Sequence, residues 1–223
     1  MSATAAMGRA AEFSQLAELL GQLGVGASAF QIDQLLDYRD LLARWNRVYN
    51  LTALRDPQQM LVLHLADCLA VLPALTQLGP RRLLDVGTGG GLPGLVIAIL
   101  LPQVQVVLND AVQKKCAFLR QVAATLKLSN VEVVHGRVET LDLPLFDCIT
   151  SRAFSELALL IRLTAHLLAP GGCWAAMKGV EPNAELAALP PGLQAEVMPL
   201  HVPGLDASRC LVWIRRTTPS NSN

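Results

Sequence analysis

Residues 83–94 read Leu-Leu-Asp-Val-Gly-Thr-Gly-Gly-Gly-Leu-Pro-Gly, an apolar run that meets an acid and then a cluster of glycines. Glycines at a strand-to-helix turn allow positive φ and let a ligand lie against bare backbone. Gly89-x-Gly91-x-x-Gly94 has the spacing of a dinucleotide loop. Two features count against that reading. The first glycine after the apolar run is Gly87, two residues ahead of the matching triplet, and Asp85 stands just before it. A carboxylate there repels a pyrophosphate but attracts the ammonium of an amino-acid-like ligand, directly or through water. S-adenosylmethionine carries that ammonium and no phosphate. The pattern Asp85-x-Gly87-x-Gly89-x-Gly91 therefore favours this methyl donor over a dinucleotide or a purely structural turn.

Further candidates follow in chain order. Asn109-Asp110 ends the next apolar run, where an acid can accept both ribose hydroxyls or cap a helix. Gly136-Arg137-Val138-Glu139 follows another run, at a turn that either borders an adenine or is simply solvated. Ile149-Thr150-Ser151-Arg152-Ala153-Phe154 ends a fourth. The Asn- or Asp-Pro-Pro-aromatic cluster often used to methylate exocyclic amines is missing there, and no cysteine follows a proline as in many pyrimidine-carbon enzymes. A ring nitrogen with a free lone pair, such as guanine N7, needs no general base, because alignment and desolvation carry the transfer. Arg152 can contact the donor, a base edge or a phosphate, against the alternative of a surface salt bridge. Lys178, on the same rim, can meet a phosphate or face solvent.

These groups need a scaffold to hold them. From Arg82 onward, apolar runs at Leu83–Val86, Val104–Leu108, Val131–Val134, Asp147–Ile149 and Cys173–Met177 alternate with helical periods at Pro93–Leu101, Gln113–Leu126 and Glu156–Leu168. That alternation predicts a parallel sheet covered on both faces. Ala195–Leu200 and Cys210–Arg216 follow without a helix and are expected to pair as an antiparallel edge hairpin. Residues 12–78 read as helices only: Glu12–Leu23, a second opening at Ser28 and carrying Ile32, Leu35, Leu36, Leu42 and Trp45, and a third opening at Asp56-Pro57. The expected organisation is a helical extension over residues 1–80 packed on a donor-binding domain over 81–216, with a disordered tail at 217–223.

Composition narrows the functional classes. The 223 residues are 52% hydrophobic, enough for a large core, and carry 18 basic and 18 acidic side chains. A chain that coats itself with nucleic acid through bulk charge is usually basic, so any nucleic-acid contact here must be local. Residues 1–80 hold five arginines and no lysine against seven acids, so no patch is evident from counting. Five scattered cysteines without a CxxC pattern argue against a disulfide framework or a zinc site. No signal peptide is evident, and Leu95–Leu101 is too short to span a bilayer. A soluble cytoplasmic monomer without a metal is expected.

Arg44-Trp45-Asn46-Arg47-Val48-Tyr49-Asn50-Leu51-Thr52-Ala53, with Arg55-Asp56-Pro57, resembles the helical N-terminal signature of the ribosomal RNA small subunit methyltransferase G family, also called glucose-inhibited division protein B. The donor loop, Phe118-Leu119-Arg120-Gln121, Arg137-Val138-Glu139, Ser151-Arg152-Ala153-Phe154 and Lys178-Gly179 fall in the family's order, so the resemblance spans about Leu35 to Ile214. It implies a class I Rossmann-like methyltransferase with a mostly parallel seven-stranded sheet, S-adenosylmethionine as donor, and N7 of one guanine in small-subunit (16S) ribosomal RNA as acceptor. The implied donor contacts are Gly87, Leu92, Val138, Glu139 and Arg152. Gly90 stands where many members have proline, which loosens the loop, and Ala66-Asp67-Cys68 stands where Leu-Asp-Ser is common. Trp45, Asn46, Tyr49 and Asn50 either pack the extension or line an RNA entrance, with packing favoured for Trp45 and Tyr49. Arg55 is the better RNA candidate, beside Arg152 and Lys178. The competing expectations are another RNA acceptor, a dinucleotide-dependent oxidoreductase and a non-catalytic ribosome assembly factor.

Overall fold

The computed structural model describes residues 3–49, 51, 65–152, 154 and 156–217, with side chains from residue 7 onward. Arg55, the Asp56-Pro57 helix start and the tail beyond Thr217 lie outside the described residues.

Seven strands form one sheet: β1 (Arg82–Val86), β2 (Gln105–Asp110), β3 (Val131–His135), β4 (Phe146–Ser151), β5 (Leu168–Lys178), β6 (Leu193–Leu200) and β7 (Arg209–Arg216). Their order is β3-β2-β1-β4-β5-β7-β6. The first five are parallel, β7 runs antiparallel to β5, and β6 closes the edge as a hairpin with β7. The strand order reverses between β1 and β4, so a crevice opens beyond the carboxyl ends of these two strands, where ligands bind in open α/β sheets. The glycine loop leaves β1 at this crevice.

One face of the sheet is covered by α1 (Ala3–Gln22), α2 (Ala29–Tyr49), α3 (Asp67–Leu69), α4 (Leu72–Leu78), α5 (Gly94–Leu100) and α6 (Gln113–Thr125). Leu16, Leu35, Leu36, Leu69, Val96 and Leu119 share its apolar cluster. On the other face α7 (Leu157–Thr164) packs Leu157, Leu160 and Ile161 against Ile149, Trp174 and Val212. A short α8 (Asn183–Ala187) follows β5. Every residue of α5 is buried, as expected of a helix squeezed between the sheet and α2.

The start of α2 is set by a capping box. Ser28 N–H donates to Gln31 Oε1 at 2.9 Å, and Gln31 N–H donates to Ser28 Oγ at 3.3 Å. Farther along, Gln31 Nε2 donates to Ile99 O and Gln34 Nε2 to Leu126 O, both at 2.8 Å, so α2 satisfies end carbonyls of α5 and α6.

Several boundaries differ from the sequence expectation. α1 begins at Ala3 rather than near Glu12, because the alanine-rich start has helix propensity without an apolar stripe. Arg9 also ties this stretch to Asp33 and Asp37 of α2 at 3.0 and 2.8 Å. The helix expected over Glu156–Leu168 ends at Thr164 and tightens into a 3₁₀ turn over Ala165–Leu167. β5 then begins five residues early, at Leu168, with an irregularity opposite Phe146–Cys148 that accommodates Pro170-Gly171-Gly172. α8, solvent-facing and short, has no periodicity that would announce it.

Candidate functional site

The loop after β1 is held residue by residue. Asp85 is wholly buried, and its Oδ2 accepts Thr88 Oγ1–H at 2.5 Å and Gly94 N–H at 2.8 Å. Its Oδ1 is buried without a hydrogen-bond partner among the described residues. Burial pushes the Asp85 carboxyl up to about 7, against the pull of the bonds from Thr88 and Gly94. Thr88 O accepts Gly91 N–H at 2.9 Å and Leu92 N–H at 3.1 Å, closing the turn. Gly87, Gly89 and Gly91 all have positive φ. Gly94 permits the closest approach in this unit: a Cβ there would stand 2.2 Å from Leu108 Cδ2 and 2.7 Å from Asp85 Oδ2.

At the tip of β2, Asp110 Oδ2 accepts Gly89 N–H at 3.0 Å and Lys115 Nζ at 3.3 Å, while Oδ1 accepts Val112 N–H at 2.9 Å. The acid thus ties the glycine loop to the start of α6. It also lines a cavity of about 380 Å³ with Gly87, Gly136, Val138, Glu139 and Phe154. Glu139 stays ionised there, its pKa lowered by its own backbone N–H and by Arg137, which pairs with it at 2.7 Å. An acid at a strand tip and a carboxylate at the next turn suit the hydroxyls and exocyclic amine of a nucleoside.

A second cavity, of about 540 Å³, meets the first at Gly87 and Lys115 and holds Thr88, Gly89, Gly90 and Leu92. Its far wall is cationic. Asp67, on α3 and 4% exposed at its side chain, receives Arg152 Nε on one oxygen and Arg209 Nε on the other, each at 2.9 Å. Burial works to lower the Arg152 pKa, but the surrounding Cys68 and Asp67 hold it above its ordinary value. Lys178 lines the same wall and pairs with Glu185 at 2.8 Å; Glu185 also accepts Leu157 N–H at the start of α7. The two joined cavities fit an extended ligand with a nucleoside at one end and a charged tail at the other. Together they fall in the size range of small-molecule sites.

The structure therefore brings Gly87, Gly89, Leu92, Arg152 and Lys178 to one cavity, and Asp110, Val138 and Glu139 to the adjoining one. It does not bring Asp85 or Gly91 to either wall. Asp85 lies beneath the loop, and Gly91 is turned toward Leu95 and Leu119. Trp45 packs between Tyr49 and Phe118, with ring centroids 5.1 and 5.4 Å away, so it serves packing. Sequence reasoning missed three residues as site elements: Asp67, Arg209 and Lys115. Asp67 was visible only as part of a tripeptide departing from its relatives.

Among the described residues no group of His, Cys, Asp and Glu is arranged to hold a metal, and no helix is long and apolar enough to cross a membrane. The five cysteines are free and buried.

The family model for rRNA small subunit methyltransferase G matches residues 31–212. A ribosomal RNA small subunit methyltransferase G from Leptothrix cholodnii is 53% identical over 204 residues, covering 90% of this chain and 94% of that protein. One from Burkholderia multivorans is 54% identical over 198 residues, covering 86% and 87%. Among solved structures, an O-methyltransferase from Bacillus cereus in complex with SAH superposes with a TM-score of 0.56 at 19% identity, over 81% of this chain and 91% of that one, a likeness of fold alone. The dinucleotide reading of Gly89, Gly91 and Gly94 is set aside by these relationships. The chain belongs to the rRNA small subunit methyltransferase G family and is an S-adenosylmethionine-dependent methyltransferase.

Proposed function

We propose that this chain methylates N7 of one guanine in small-subunit (16S) ribosomal RNA. The observation that carries the reading is the junction at Gly87 of an acid-tipped nucleoside cavity with a cation-walled one. Bound S-adenosylmethionine supplies an electrophilic methyl group on a sulfonium. Asp110, Val138 and Glu139 hold the nucleoside end. Gly87, Gly89 and Leu92 line the path of the chain that carries the methyl group, with Asp85 and Gly91 shaping that path from below.

The carboxylate that lines the second cavity, Asp67, is committed to two arginines, and Asp85 lies beneath the loop with one oxygen bonded to Thr88 and Gly94. A mechanism without a general base suits such a wall, because guanine N7 attacks with a lone pair it already has. No side chain is assigned a proton-transfer role. Arg152 positions the acceptor and touches the donor, while Lys178 and Arg55 meet the RNA. Catalysis then rests on alignment and exclusion of water. In this reading residues 1–80 are a helical extension to a donor-binding domain at 81–216, and the protein works as a cytoplasmic monomer.

The test is transfer of labelled methyl from S-adenosylmethionine to small subunits that lack the modification, with the product mapped by cleavage at N7-methylguanine. Label at one guanine N7 is expected. Label on another atom or another RNA overturns the acceptor while keeping the enzyme class. Ribosome association that survives donor-loop substitutions, without transfer, favours an assembly factor.

A further inference from the structure

Most restraints on the glycine loop come from within its own strand-helix unit or from the neighbouring strand: Asp85, Thr88 and Asp110. One comes from elsewhere. Tyr38 of α2, fully buried, donates its phenol O–H to Gly90 O at 2.7 Å. Leu42, one turn along, packs on the same residue, since a Cβ at Gly90 would stand 3.0 Å from Leu42 Cδ1. Burial raises the Tyr38 pKa well above its ordinary value, so the phenol remains a donor at every working pH.

Gly90 is the middle of three successive glycines. Its neighbours Gly89 and Gly91 are left-handed, with φ of 60° and 97°. Three adjacent glycines give a backbone that loses much conformational freedom when it is ordered. Proline supplies order covalently, by fixing φ. Here the phenol hydrogen bond can supply it instead, at a residue that is itself buried.

We propose that Tyr38 is a positioning residue for the methyl donor: its hydrogen bond fixes the Gly89-Gly90-Gly91 backbone in the donor-binding shape, a restraint that a proline at position 90 would supply by fixing φ. The inference rests on the donor reading of the loop given above, and it makes the α2 helix part of the donor site.

The experiment is calorimetry of S-adenosylmethionine binding, which needs no RNA. Tyr38→Phe is expected to weaken donor binding about tenfold, as for loss of a buried hydrogen bond that leaves a carbonyl orphaned. In a Gly90→Pro background the same change is expected to weaken it less than about threefold, because proline has already restrained the loop. Hydrogen exchange should show faster exchange of the Gly91 and Leu92 amides in Tyr38→Phe alone. Unchanged donor affinity in Tyr38→Phe overturns the proposal, even if its melting temperature falls. So does an equal loss in both backgrounds. Where Tyr38→Phe alone yields no folded protein, the proline background decides: a folded, donor-binding double variant supports the proposal, and an unfolded one overturns it. A wild-type chain that binds donor but labels no ribosomal RNA removes the acceptor assignment and leaves the Tyr38 result standing.

Discussion

The two joined cavities are built in different ways. The nucleoside side and the loop depend on backbone: left-handed glycines, N–H groups donated to Asp85 and Asp110, and a close strand-helix crossing at Gly94. All of this lies between Asp85 and Glu139. The cationic side depends on side-chain ion pairs that reach across the sequence, with Asp67 joined to Arg152 and to Arg209, 142 residues away. The first arrangement makes shape, which a single added carbon at Gly94 would crowd. The second makes a charged surface whose parts are separately replaceable.

The largest expected effect tests the backbone half. Gly94→Ala sets a methyl group against the Asp85 carboxylate and Leu108. It should lower stability by about 3 kcal/mol, the upper range for overpacking a close crossing, and abolish measurable donor binding. Thermal melting and calorimetry read both. Normal donor affinity in this variant would break the claim that shape governs this side. Next comes Asp67→Ala, which strips the shared partner from two arginines. Methyl transfer should fall roughly a hundredfold, as for misplacement of an aligned acceptor, with donor Kd moving far less. Equal losses in donor binding and transfer would erase the distinction between the halves.

The same distinction explains what could be read from the sequence. The strand-helix alternation, the edge hairpin and the loop were legible because each is written in a local pattern: a run of apolar residues, a proline-glycine break, a glycine spacing. Asp110, Val138 and Glu139, which line the first cavity, stand out for the same reason, as residues at or just after the ends of predicted strands. The Asp67–Arg152–Arg209 bridge was not, because pairing between residues far apart in sequence leaves no periodic trace. Lys178 was placed correctly on the rim, but its pairing with Glu185 depends on α8, which has no buried face to reveal it. Asp85 was read as facing the ligand. The carboxylate lies instead beneath the loop, with one oxygen taken by Thr88 and Gly94, since a carboxylate at the end of a buried strand captures the nearest N–H and O–H groups.

A smaller effect sharpens the cationic half. Lys178→Met removes one charge from a wall that Arg152 and Arg209 also furnish, so transfer should drop only about tenfold, the scale of one charged contact. The loss should appear in KM for the ribosomal substrate. Glu185 keeps its bond to Leu157 N–H, so the melting temperature should hardly change. A loss expressed in donor affinity instead would assign Lys178 to the backbone half.

The smallest effect concerns pH and separates the halves by charge rather than by mutation. Burial pushes Asp85 up to about 7, whereas the Arg152 guanidinium is held above its ordinary value and stays charged. For a carboxyl whose folded pKa exceeds the unfolded value of about 4, the stabilising contribution is complete below that value and is lost as pH rises through about 7. The donor-free protein should therefore lose stability from this group between those limits. A cationic donor above the loop favours the ionised carboxylate, so donor affinity should change in the opposite sense, tightening several-fold from about pH 6 to 8 before levelling. Asp85→Asn should flatten both curves, because the carboxamide does not titrate, while the salt- and charge-dependent steps of RNA binding keep their own profile. Donor affinity that ignores pH in the wild type would mean that the donor's positive charges lie too far from Asp85 to be felt. The loop's acid would then serve shape alone, like the glycines around it.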